Sequence, residues 1–232
     1  MTPPCPDVPE LRGPCPQGSD SARALCLAGN VCLFDPDPDT RLKAATLASI
    51  FLLPRLLQDC DPAVRLAAGL RLPERLRKKL LMDPSAQVRA AVAETLPPED
   101  LAGLLNDPSV LVRSLVAKRV SPSMLPVLMR DQDPAVRLLC VARLEPEWLI
   151  VLAWDQDVRV RREVALRLDA GQLVAMHDDQ DVMVRRSVAS RADPRQLASL
   201  TDDADDIVRD TARTRLDAEV ERVLKRQGGR DA

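Results

Sequence analysis

The sequence predicts an all-α repeat protein: a solenoid of eight 24-residue units, each an α-helix followed by a short 3₁₀ helix. Three observations predict it. Stepping by 24 residues from Arg65 reaches Arg41, Arg89, Arg113, Arg137, Arg161, Arg185 and Arg209, with no insertion between them. An aspartate stands six residues before each: Asp35, Asp59, Asp83, Asp107, Asp131, Asp155, Asp179 and Asp203. Apolar residues then recur four, five and eight places after the residue preceding the Arg, as in Val112, Val116, Ala117 and Val120, which is one face of a helix.

The elements of one repeat follow in order. Four residues before the Arg stands Asp or Ser: Asp37, Asp61, Ser85, Ser109, Asp133, Asp157, Asp181 and Asp205. Short side chains with an acceptor oxygen suit a helix N-cap, so this column is read as the cap. Proline follows it at Pro38, Pro62 and Pro134, where the first helical turn has no need of the missing N–H. A helix of about ten to twelve residues is expected from the apolar spacing. A proline or polar break ends it, as at Pro97, Pro122, Pro146 and Pro194. Then come apolar pairs spaced by three, Leu101/Leu104, Leu125/Leu128, Leu149/Leu152, Leu173/Met176 and Leu197/Leu200, in a piece too short for a second full helix. That spacing favours a 3₁₀ turn. No segment alternates as a half-buried strand does. The charged end of the last repeat, "DAEVERVLKRQGGRDA", reads as a polar C-terminal cap. The domain division is therefore a cysteine-rich segment at 1–34, the solenoid at 35–226 and a tail at 227–232.

Composition narrows the function. The 232 residues carry a formal charge of −2, and 46% are hydrophobic, so disorder is excluded by composition. With no Tyr, two Phe and two Trp, Leu, Val and Ala must build the core. The N-terminal "MTPPCPDVPE" has neither a basic nor an apolar leader region, and no apolar run is long enough to cross a bilayer, so a soluble cytoplasmic protein is expected.

The repeated arginines admit two readings, a track for phosphates or a structural ladder. A cation in the first helical turn opposes the macrodipole and needs compensation. The Asp six back, the Asp or Ser four back and the Asp of a stacked neighbour are all candidates, which favours the ladder. A second basic column, Arg71, Arg119, Arg143, Arg167, Arg191 and Arg215, falls in the last helical turn and reads as a solvated face. From residue 41 onward Lys plus Arg number 31 and Asp plus Glu 29, too small an excess for a strong nucleic-acid binder. His177 is the single histidine, and no phosphate loop or nucleophile motif is present, so an enzyme is not expected.

Four cysteines precede the first repeat: Cys5, Cys15, Cys26 and Cys32, spaced C-x9-C-x10-C-x5-C. Four thiolates without a nearby His suit Zn²⁺ or an iron–sulfur cluster, and the spacing alone leaves the metal open. Cys140 occupies a column held elsewhere by Val or Ala and is expected in the core. Cys60 sits in the turn after Asp59, within reach of a role as a reserve ligand.

The 24-residue row "D-x-[DS]-x-x-V-R-x-x-V-A-x-R-L", with the cysteine-bearing segment before it, resembles the leucine-rich repeat variant proteins. The resemblance implies a right-handed superhelix of alternating α- and 3₁₀-helices. It also implies a [4Fe–4S] cluster held by Cys5, Cys15, Cys26 and Cys32, and an association with nitrogen-fixing bacteria. True leucine-rich repeats carry an "L-x-L" strand motif that these rows lack, and HEAT repeats need two full helices and a longer period. The functions expected are a redox or electron-transfer module with a docking scaffold, a protein-binding scaffold with a structural cluster as its cap, and, third, nucleic-acid binding. About 30 residues cannot form a core without a staple such as a metal, which gives the cap reading a physical motive.

Overall fold

The computed structural model describes residue 33 and residues 35–228. Among them the regular elements are all helical, alternating as expected. The α-helices are Pro38–Leu47, Pro62–Arg71, Ala86–Ala93, Val110–Arg119, Pro134–Arg143, Val158–Arg167, Val182–Arg191 and Asp206–Gly228. Between them lie 3₁₀ segments such as Leu53–Gln58, Pro98–Leu104, Pro122–Arg130 and Leu173–Met176. The second and fifth repeats open this short segment with one α-turn, Glu74–Arg77 and Pro146–Leu149. The eighth departs from the pattern: its helix continues to Gly228 with no 3₁₀ piece. The chain divides into two compact units, Met1–Arg119 and Val120–Ala232.

Each unit is built the same way. In the first, the buried faces of the helices pack on the short segments, with Ala45, Leu53, Leu56, Val64, Ala68 and Leu72 forming one cluster. Gly69 stands where other repeats carry Ala, and Leu80 Cδ1 fills the space a Cβ would take. In the second unit Leu125, Leu149, Leu173 and Leu197 repeat at one register and are all fully buried. The same register in the second repeat holds Arg77, whose Nε is buried without a hydrogen-bond partner. An unsatisfied buried donor costs about 1–3 kcal/mol. Arg77→Leu is therefore expected to stabilise the first unit by about 1 kcal/mol or more, read as a raised urea midpoint; an unchanged or lower midpoint would refute it.

The helices start as the Asp column predicts. Asp61 accepts from the N–H groups of Ala63 and Val64, and Asp181 from those of Met183 and Val184. Ser85 corrects the expectation for its column. It has the extended N-cap backbone, but its hydroxyl bonds Gln87 Oε1 and caps nothing.

The first arginine column is a ladder. Arg65 Nε and Nη2 grip both carboxylate oxygens of Asp83, each at 2.7 Å, eighteen residues on in the next repeat. The same fork joins Arg41 to Asp59, Arg89 to Asp107, Arg137 to Asp155, Arg161 to Asp179 and Arg185 to Asp203. Each Arg turns its remaining Nη1 back onto the carbonyl of its own repeat's Asp, at 2.7 Å for Arg89 and Asp83. That Asp's carboxylate also accepts from the N–H of the N-cap residue two places on, as Asp107 does from Ser109 at 2.8 Å. One Asp thus shapes its own turn and ties down the previous repeat's Arg. The side chain of the Asp or Ser four residues before the Arg takes no part in these forks. Arg209, with no repeat after it, pairs instead with Asp206 in its own helix.

These bonds set a pH dependence. The Arg185 fork holds Asp203 below the usual carboxylate range. Burial pushes Asp107 upward, but the Arg89 fork and the Ser109 N–H outweigh it, so it too is lowered. On the surface of the second unit the Arg162 guanidinium takes Asp181 to about 2. A carboxyl whose folded pKa lies below its unfolded value gives stability that is whole above the unfolded pKa, near 4. That stability is lost as pH falls through the folded pKa. Thermal unfolding is expected to hold level from neutral pH down to about 4 and drop steeply below it; a midpoint unchanged down to the values near 2 would contradict this.

Candidate functional site

The proposed cluster ligands Cys5, Cys15, Cys26 and Cys32 lie outside the described residues. Their nearest described neighbour is Leu33, partly buried and packed against the Ala45/Leu53/Val64 cluster of the first repeats. Among the described residues no group of three or more His, Cys, Asp or Glu is placed to hold a metal ion. Cys60 is exposed, and its Sγ accepts from Arg41 Nη2 at 3.4 Å. Cys140 is fully buried in the core, as its column predicts, and burial pushes its thiol up to about 12. Thiolate is the reactive form, so Cys140 is expected to resist iodoacetamide at pH 8 until the chain is unfolded. Peptide mapping of the native protein checks this, and rapid labelling at Cys140 would contradict it.

The second arginine column proves not to be a solvated face. Arg215 reaches back to the preceding helix and donates to the carbonyls of Ala189 and Ala192 at 2.7 and 2.8 Å. Arg191 does the same at Ala165 and Leu168, Arg167 at Val141 and Leu144, and Arg119 at Ala93 and Leu96. These are the carbonyls a helix C-terminus leaves unpaired, so the column caps one helix from the next. A signal for this was in the sequence: where the column is basic it is Arg and never Lys, as a fork serving two carbonyls requires. His177 is also engaged locally, its Nδ1 2.8 Å from the Val174 carbonyl and its Nε2 3.0 Å from Asp178.

Composition left one surface feature unread. Neither tryptophan is in the core. Trp148, Val151 and Trp154 follow one another at spacing three along the second half of the fifth repeat, and are 45%, 47% and 67% exposed. Trp148 lies in the α-turn, Val151 in the 3₁₀ segment and Trp154 in the turn that follows it. Leu149 and Leu152 point the other way and are buried, and so fix the segment that presents the rings. Val127, 24 residues before Val151 and so at the same register, is also exposed. The charges at this register of the fifth and adjacent repeats are mostly acidic. Glu145 and Glu147 share the segment, and Asp169 and Asp178 stand at the corresponding positions of the next repeat, against Arg130 in the previous one.

No helix among the described residues is long and apolar enough to cross a membrane. A family model described as "Leucine rich repeat variant" matches residues 86–109, one period of the ladder. A solved structure described as a leucine-rich repeat variant with a novel repetitive protein structural motif is 36% identical. It covers 79% of this chain and 78% of its own, with a TM-score of 0.69. A second solved structure, that of YIBA_ECOLI, is 16% identical with a TM-score of 0.42, and covers 76% of this chain and 95% of its own. No curated protein matches.

Proposed function

The chain belongs to the leucine-rich repeat variant family, and from that premise we propose that it is a protein-docking scaffold, wound as a right-handed superhelix, whose N-terminal segment holds a [4Fe–4S] cluster on Cys5, Cys15, Cys26 and Cys32. The observation that carries the docking role is the Trp148–Val151–Trp154 face. Large aromatic rings that could fill a core stand in solvent instead, on a segment anchored by buried leucines. Aromatic anchors on rigid supports dominate protein interfaces. Glu145, Glu147, Asp169 and Asp178 give the face a negative rim, and tryptophan faces attract cations, so the partner is a basic amphipathic segment.

Four cysteines suit a metal site, the family resemblance makes that metal a cluster, and Leu33 supports its role as a cap. Leu33 follows Cys32 directly and packs against the core cluster of the first repeats. Four thiolates suit iron–sulfide as well as zinc, so iron, zinc and sulfide analysis with visible absorption is the test for the metal. Zinc without iron or sulfide would overturn the cluster. Cys26→Ser is expected to lower the thermal midpoint of the first unit if the segment is a cap; an unchanged midpoint with reversible one-electron reduction would favour electron transfer.

The docking role has its own experiment. Trp148 and Trp154 are the two tryptophans of the chain, so intrinsic fluorescence reports on this face directly. Titration with a leucine–lysine amphipathic peptide is expected to shift emission to the blue, and Glu147→Lys or high salt to weaken the effect. No shift, or an equal shift with a leucine–glutamate peptide, would overturn the reading.

A further inference from the structure

The first repeat departs from the others where it should be most polar. Leu47 stands in the column that holds Arg71, Arg119, Arg143, Arg167, Arg191 and Arg215. Those arginines reach back to the preceding helix, as Arg71 does to the Ala45 carbonyl at 2.8 Å. At Leu47 no carbonyl-seeking fork remains, and the leucine is 69% exposed. Ile50 and Phe51 follow in the turn, where the second repeat has Glu74 and Arg75 and the third Pro98 and Glu99. Phe51 is 89% exposed. A repeat that ended the stack would need a polar outer face, so these apolar residues call for a cover.

The chain before this face supplies one. Residues 1–32 lie outside the described residues and lead directly to it through Leu33. Leu33 stands 24 residues before Leu57, and both are partly buried on the same core cluster, so the repeat register already runs ahead of Asp35. Further back, "SDSARALCL" (19–27) keeps the spacing of a repeat helix. Ser19 stands four before Arg23, and Cys26 and Leu27 three and four after it, as Ser109, Val116 and Ala117 stand to Arg113.

Asp35 shows a second mark of the same continuation. It accepts from the Asp37 N–H at 2.9 Å and gives its carbonyl to Arg41 at 2.7 Å, as Asp59 serves Asp61 and Arg65. Asp59 also receives the fork of Arg41, whereas no described residue supplies a fork to Asp35. Residues 1–32 contain two bases, Arg12 and Arg23, and Arg23 is the one with repeat spacing.

We propose that residues 19–32 of this chain lie over the end of the first repeat as a partial repeat, with the Arg23 guanidinium on the Asp35 carboxylate and Leu47, Ile50 and Phe51 beneath. This deepens the cap reading and rests on it for the place of the segment. It does not rest on which metal the cysteines hold, so the metal analysis and the experiment below fail separately.

Hydroxyl-radical labelling of the full chain, read at Phe51 by peptide mapping, tests it. Phe51 is expected to label far more slowly in the native than in the urea-unfolded chain. Arg23→Glu is expected to raise the native rate about threefold or more, the worth of a partly exposed ion pair. Asp35→Asn, which keeps an acceptor for the Asp37 N–H, is expected to act in the same direction. Arg23→Glu with Asp35→Arg is expected to restore protection, and Arg12→Glu to leave it unchanged. Four results would each overturn the proposal: Phe51 labelling as fast in the native as in the unfolded chain; protection that rises with protein concentration and so comes from a second copy; protection indifferent to both Arg23→Glu and Asp35→Asn; or protection lost equally with Arg12→Glu.

Discussion

Arg89→Ala is expected to lower the stability of the first unit by about 3–5 kcal/mol, the cost of stripping one partner from a buried ion pair. The pair is nearly dry, with the Asp107 side chain 3% exposed and Arg89 10%. Removing the guanidinium leaves a carboxylate in place with only the Ser109 N–H to satisfy it, and frees the Asp83 carbonyl that Arg89 Nη1 holds at 2.7 Å. Arg185→Ala is expected to cost less, because the Arg185–Asp203 rung is wetter at 17% and 7% and water can replace the lost donor. Arg89→Met with Asp107→Leu leaves no stranded charge, so the double variant is expected to recover part of the loss. It should stay below wild type, since the Asx-type bond to Ser109 and the carbonyl bond to Asp83 go with the pair. Urea unfolding followed by circular dichroism measures all four proteins. A loss below about 1 kcal/mol for Arg89→Ala would show that the ladder is ornament and that apolar packing alone holds the repeats.

The second large effect separates two adjacent residues. Leu149→Ala is expected to destabilise the second unit by about 2–5 kcal/mol, because Leu149 is fully buried in the column it shares with Leu125, Leu173 and Leu197. Trp148→Ala, one residue away, is expected to cost less, about 1 kcal/mol, because nearly half of the residue is exposed, and yet to abolish most binding of a basic amphipathic peptide. The contrast separates support from recognition on one short segment. If both substitutions destabilise alike, Trp148 is a packing residue and the docking face loses its main anchor.

Much of this arrangement was legible in the sequence because a repeat protein writes its packing as a period. Val112, Val136, Val160, Val184 and Val208 were assigned to the core from the register of the neighbouring Arg, and all are fully buried. Cys140 followed from its column in the same way. The short segments were legible too, because a Leu pair three apart in a piece of nine residues suits a 3₁₀ turn and little else. Arg77 was not. It breaks the Leu column, and only aligning the second repeat by its Arg65 shows it. The tryptophans were left unplaced, because composition counts aromatic residues but does not say which side of a short helix they take.

The sequence alone determined the period, the helix starts, the buried columns and the need for each Arg to find an anion, because these depend on local propensity and a fixed step of 24. The tertiary structure decided which anion. From sequence, the Asp six residues back, the Asp four back and the Asp of the neighbouring repeat were all candidates for Arg65. In the fold, the near Asp59 already gives its carboxylate to Arg41 and to the Asp61 N–H, so it offers Arg65 only its carbonyl. The far Asp83 takes the fork. The second column was decided the same way, since the carbonyls that Arg191 and Arg215 serve lie 23 and 26 residues back and meet them only once one helix is laid on the next. A partner in a stack is chosen by which lone pairs remain free after neighbouring repeats have made their claims, and that accounting exists only in three dimensions.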